Sequence, residues 1–207
     1  PQVYERNSDT ITSHLMTDEG CNDFITSEDG MSRGITSIMT LDLNSDDFSF
    51  EADHLISNWP IVYASNDVML IVEQAQDWWW FWGNDELDET TNIHSFDIAE
   101  GGQTTYAGSG RINGTVLDQF CLSEFEGEIR VASTTGQWNR WWMADPDPME
   151  NHVYILEHTQ DSSGNDSLEE VGHLDGIAEN ERIWSARFVG EMAYIVTFEQ
   201  IDPLWVI

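Results

Sequence analysis

The stretch Glu181–Ile207, ERIWSARFVGEMAYIVTFEQIDPLWVI, decides the fold. Ile183–Phe188 and Ala193–Phe198 are rich in β-branched and aromatic residues and flank a Val189–Gly190–Glu191 turn; Leu204–Ile207 follows the Asp202–Pro203 break. The stretch therefore reads as strand, tight turn, strand, kink, strand. Two upstream hairpins have the same form: Ile61–Ala64 with Met69–Glu73, and Phe120–Ser123 with Ile129–Ser133. Superposed on their second strands, the hairpins place Val72, Ala132 and Val196 in register, 60 and 64 residues apart. Third strands follow at Ile38–Leu43, Ile93–Ile98, Val153–His158 and Leu204–Ile207, and fourth strands at Phe48–Leu55, Thr104–Gly110 and Leu168–Gly176. No window carries a helical apolar stripe free of turn signals.

Four antiparallel strands recurring at this spacing are the blades of a β-propeller, so the expected fold is all-β, a β-propeller of four-stranded antiparallel blades. The chain divides into an irregular arm (1–33), the outer strands of a first blade (34–56), a second blade (57–110), a third (111–176), and the first strands of a fourth, incomplete blade (177–207). Propellers close with about four to eight blades. The expectation is thus that this chain covers about three to three and a half blades of a larger ring, with the remaining blades on another chain or in a missing segment.

Acidic residues outnumber basic ones 39 to 7, there is no Lys, and the net charge is −32. Such a surface repels phosphate backbones, which argues against nucleic acid as a partner. It stays soluble by self-repulsion, and its carboxylates can collect divalent cations such as Ca²⁺. With 40% hydrophobic and 12% aromatic residues the chain can still build a core. Its apolar runs fall short of the ~20 residues of a transmembrane segment, and Pro1 opens no signal-peptide pattern; a mature or excised fragment has this look. Cys21 and Cys121 form no disulfide framework, and Cys121, in the apolar run Phe120–Leu122, suits a buried free thiol as well as a bridge.

The aromatic runs are the most unusual local feature. Trp78, Trp79, Trp80, Phe81 and Trp82 begin six residues after Val72, and Trp138, Trp141 and Trp142 begin six residues after Ala132. Equivalent positions in successive blades put both runs in the loops between second and third strands, side by side on one face. With Arg140, their indole surfaces are candidates to stack on a glycan or anchor a protein partner; the competing reading packs them against the blade edges. Asp42, Asn44 and Asp46 alternate as the opening ligands of a calcium loop do, without its later Gly and Glu, so a solvated turn is the plainer reading. The six histidines show no HxH or HExxH spacing. Arg130 and Arg187, inside hairpin strands, are expected to pair with carboxylates and fix contacts between blades. Nucleophile-elbow and phosphate-loop motifs are absent.

Glu181–Ile207, with TTNIHSFDI (Thr90–Ile98), YAGSGRINGTVLDQFCLSEFEGEIRVASTTG (Tyr106–Gly136) and VYILE (Val153–Glu157), resembles the secreted bacterial and archaeal proteins whose C-terminal β-propeller is distantly related to WD repeats. The resemblance runs from about residue 21 to 207. It implies a secreted or envelope-anchored propeller, largely without an assigned activity, and supplies no catalytic residues to carry over. In that family an Asp-Leu pair usually follows the final Val-Ile and more blades come after, so the stop at Ile207 again argues for a fragment. The lack of Lys and the presence of Cys121 depart from the family.

The function expected is a non-enzymatic extracellular binding or assembly module, with Trp78, Trp79, Trp80, Trp82, Trp138, Arg140, Trp141 and Trp142 as its contact surface and Ca²⁺ as the one cofactor suggested. The alternative is a metal-dependent hydrolase in the propeller channel. It needs carboxylates or His on the innermost strands, where Ile61–Ala64 and Phe120–Ser123 offer few.

Overall fold

β-Branched runs punctuated by Gly, Asp and Asn fold here into strands joined by tight turns. The computed structural model describes residues 2–15, 24–27, 34–42, 50–57, 59–75, 89–99, 103–137, 148–198 and 204–207. Among these the regular structure is β-strand apart from one 3-10 turn at Gln119–Cys121, and no α-helix occurs.

Two antiparallel meanders dominate. The first runs β6 (Ile61–Ala64), β7 (Val68–Gln74), β8 (Thr90–Ile98), β9 (Thr104–Asn113); the second runs β10 (Leu122–Phe125), β11 (Glu128–Thr135), β12 (Glu150–Gln160), β13 (Asp166–Ile177). These are the four-stranded blades expected from the repeat. Their last strands meet through one parallel bridge, Ser109 with Ser167, which joins them into an eight-stranded sheet. Glycines permit that approach: a Cβ on Gly108 would lie 2.9 Å from the Ser167 backbone, and one on Gly110 would lie 2.7 Å from the Leu168 carbonyl oxygen.

A three-stranded sheet lies on each side. Before the meanders, β4 (Gly34–Leu41) pairs antiparallel with β5 (Phe50–Ser57), whose other edge takes β3 (Phe24–Thr26) in parallel. After them come β14 (Ile183–Val189), β15 (Met192–Thr197) and β16 (Leu204–Val206). Successive sheets pack face to face. On β7, Val68, Leu70 and Val72 point into a core shared with Ile93, Val131, Val153, Ile183 and Ile195, while Ile71 joins Phe96, Ile38 and Leu55 on the opposite face. Burial on both faces explains why β7 reads Val-Met-Leu-Ile-Val rather than alternating with polar residues. β15 does alternate: Ala193 and Ile195 are buried, whereas Met192, Tyr194 and Val196 are exposed.

Two expectations are corrected. The first 33 residues are not wholly irregular, since β1 (Gln2–Asn7) and β2 (Thr10–Leu15) form a six-pair hairpin and β3 edges the first sheet. The described side chains of this hairpin are almost all exposed, so no buried face imposed the apolar alternation that would have marked it. The first strand of the second meander begins at Leu122 rather than Phe120, because the Asp118 carboxylate accepts a hydrogen bond from Phe120 N at 2.8 Å and caps a 3-10 turn. Cys121 ends that turn as a free, fully buried thiol.

Candidate functional site

Three places bring polar side chains together. The first is where the chain leaves β7 and β11. In both meanders a long segment follows, 76–88 or 138–147, and the residues beside the two segments are tied to each other. Gln137 N donates to Glu89 Oε2 at 3.2 Å, Gln74 Nε2 donates to Thr115 Oγ1 at 2.9 Å, and Thr115 and Thr134 exchange two backbone hydrogen bonds.

The second place is the same end of β12 and β13. His173 and Asp175 are two apart on β13 and share a face; His152 on β12 faces them across the ladder, two residues before Tyr154, the register partner of His173. Asp175 Oδ1 lies 2.5 Å from His152 Nδ1 and 2.6 Å from His173 Nε2. The outward nitrogens are also engaged: His152 Nε2 lies 2.9 Å from Thr135 Oγ1, and His173 Nδ1 lies 3.5 Å from Glu170 Oε1. Tyr154, buried, stacks on the His173 ring at 4.4 Å. The His152 hydrogen bond, assisted by His173, holds the Asp175 carboxyl below the usual carboxylate range, whereas burial, with Asp175 and Glu170 close by, pushes the Tyr154 hydroxyl up to about 12. Register places Asn92 and Arg111 at the corresponding position of the first meander, where Arg111 Nε donates to Asn92 Oδ1 at 2.8 Å.

The third place is a cleft of about 340 Å³ where β6, β14 and the 3-10 turn leading into β10 converge, lined by Tyr63, Gln119, Phe120, Ser123, Arg187 and Phe188 among others. Arg187 sits over the Phe120 ring at 3.7 Å. Beside it, Arg130 is buried between the Phe125 and Phe188 rings and donates to Gly190 O at 2.6 Å and Ser123 Oγ at 2.9 Å. The expected carboxylate partners of Arg130 and Arg187 are therefore replaced by a carbonyl, a hydroxyl and aromatic faces. Arg130 still performs the joining role, because Gly190 belongs to the β14–β15 turn. Among the described residues, no His or carboxylate lines the cleft.

A family model described as a beta propeller domain matches residues 6–207. The chain belongs to that family. An uncharacterized protein of Methanocaldococcus jannaschii is 37% identical over 116 residues, 56% of this propeller chain and 15% of the relative. An uncharacterized protein of Archaeoglobus fulgidus is 34% identical over 119 residues, 58% of this chain and 16% of the relative. The chain thus matches about a sixth of the length of these curated relatives. No solved structure shows a significant match.

In the propeller frame, Trp78, Trp79, Trp80, Trp82, Trp138, Arg140, Trp141 and Trp142 lie outside the described residues, as do Asn44 and Asp46; Asp42 is exposed just after β4. Among the remaining histidines, His54, His94 and His158 each bond a serine, Ser37, Ser109 and Ser95 respectively, and His14 bonds Glu5. The donor set at His152, His173 and Asp175 has neither HxH nor HExxH spacing. Its sequence signal is the His-Leu-Asp alternation at 173–175, which acquires meaning only once β12 is known to lie beside β13 in this register.

Proposed function

We propose that this propeller is a non-enzymatic binding and assembly module whose contact surface is formed by the two tryptophan-bearing segments, 76–88 and 138–147. The observation that carries this reading is the Gln137 to Glu89 hydrogen bond of 3.2 Å. It ties the residue that follows the first segment to the residue that precedes the second, so the two segments join the described chain at neighbouring strand ends. Indole side chains flanked in sequence by Asp77, Asn139 and Arg140 suit the apolar faces of sugar rings or an aromatic-anchored protein contact. Assembly is supported by the outer face of β14–β16. There Trp184, Tyr194, Val196 and Val206 are exposed in the same alternation that, on the inner face, packs against a neighbouring sheet. A further blade would cover that face as each internal sheet is covered here. An acidic, lysine-free surface suits the extracellular or envelope setting that the sequence resemblance implies.

The test replaces Trp78, Trp79, Trp80, Phe81 and Trp82 together with serine and measures binding on a glycan array alongside thermal unfolding. Binding lost with a melting temperature shifted by less than about 4 °C, roughly 1 kcal/mol at this chain length, is the expected result. A fall of about 10 °C or more would instead make these residues part of the core.

A further inference from the structure

We propose that His152, His173 and Asp175 form a binding site for a divalent transition-metal ion of the Zn²⁺ class. The three donor atoms lie within 4.8 Å of one another. They come from adjacent strands of a rigid sheet, and each is borne by a side chain whose direction the β ladder sets. Two imidazoles and one carboxylate are the ligand types zinc takes, and three protein ligands leave one coordination position for water or an oxygen of a bound molecule. The nitrogen donors select against Ca²⁺ and Mg²⁺, which prefer oxygen.

The surroundings are those a bound ion requires. Without an ion, His152 Nδ1 and His173 Nε2 both donate to Asp175 Oδ1. To ligate, each neutral ring must carry its proton on the other nitrogen, and both of those nitrogens already face an acceptor. Thr135 Oγ1 donates to the Glu150 carbonyl at 3.3 Å, leaving a lone pair free for a proton on His152 Nε2 at 2.9 Å. Glu170 Oε1 stands 3.5 Å from His173 Nδ1. The switch is a tautomer exchange in each ring, with no net gain or loss of protons. Such partners of the outer nitrogen orient ligating histidines and raise their basicity.

The same position in the first meander holds the Asn92–Arg111 pair, which ties the strands together without presenting metal ligands there. The blade fold therefore does not require a His-Asp-His arrangement for its own stability. A protein of net charge −32 also draws divalent cations to its surface.

The experiment uses the whole chain, stripped with chelator and dialysed against Zn²⁺, and in parallel against Co²⁺ to read the ligand-field bands. Wild type should bind one tight equivalent and show the intense visible bands of four-coordinate Co²⁺. His173→Ala and Asp175→Asn alter exposed side chains, so circular dichroism should stay unchanged while Zn²⁺ binding weakens by at least a hundredfold. Glu170→Gln, touching no ligand position, should weaken it about 10–100-fold. Ca²⁺ in roughly thousandfold excess should leave Zn²⁺ in place. The proposal fails if wild type takes up no tight equivalent, if the double variant His173→Ala/Asp175→Asn binds as wild type does through the acidic surface alone, or if Ca²⁺ displaces the ion.

Discussion

Cys121 shows how placement governs a single group. Burial pushes its thiol from 9.0 up to about 11, against the opposing pull of backbone hydrogen bonds from Asp118 and Leu117. In a Cys21→Ser background, native protein at pH 8 should therefore resist a thiol-specific disulfide reagent that reacts at once in denaturant; rapid native labelling would show that the end of the 3-10 turn opens. The sign of the linkage follows from the raised value. Because the unfolded thiol ionises near 9.0 and the folded one near 11, the stabilising contribution is complete below pH 9 and lost as pH rises toward 11. Cys121→Ala should flatten that part of the alkaline stability profile, read as the urea midpoint at pH 8 and pH 10.5. The buried, apolar character of Cys121 was legible from Phe120–Leu122, but its place in a capped turn was not, since that depends on Asp118 outcompeting the strand.

At the level of elements, the turns were the most legible part of the chain. Glu126 and Gly127 take positive φ angles of 54° and 87° in the β10–β11 hairpin, the conformation that Gly near a hairpin tip signals. Gly108 has a different role, because at φ +139° it also leaves room for β13, where a Cβ would lie 2.9 Å from the Ser167 backbone. Gly127→Ala meets nothing within 4 Å and should cost about 1 kcal/mol from backbone strain alone. Gly108→Ala adds a backbone clash and should cost about 2–4 kcal/mol. Urea unfolding of both variants checks the order, and equal losses would mean that the junction between the two meanders yields easily. Strands with one or two buried faces, such as β7 and β15, could be read from their residues. β1 and β2 could not, because a hairpin exposed on both faces leaves the alternation unselected.

For the whole molecule, the contact between the second meander and the last sheet turns on Arg130. It bridges Ser123, Phe125, Phe188 and the Gly190 carbonyl, and among the described residues no carboxylate forms an ion pair with it. Arg130→Met keeps much of the volume and removes two charge-assisted hydrogen bonds, so stability should fall by about 2–4 kcal/mol. Hydrogen exchange should rise first in β14 and β15; uniform protection across both would show the sheets held by apolar packing alone. The blade repeat, the strand order within a blade and the all-β class were determined by sequence, because alternation and turn residues act over a few neighbours and recur at a fixed interval. Tertiary structure alone decided the partners of the two arginines and the meeting of His152 with His173 and Asp175. Those contacts join residues far apart in the chain, and they depend on which strands lie side by side and in what register.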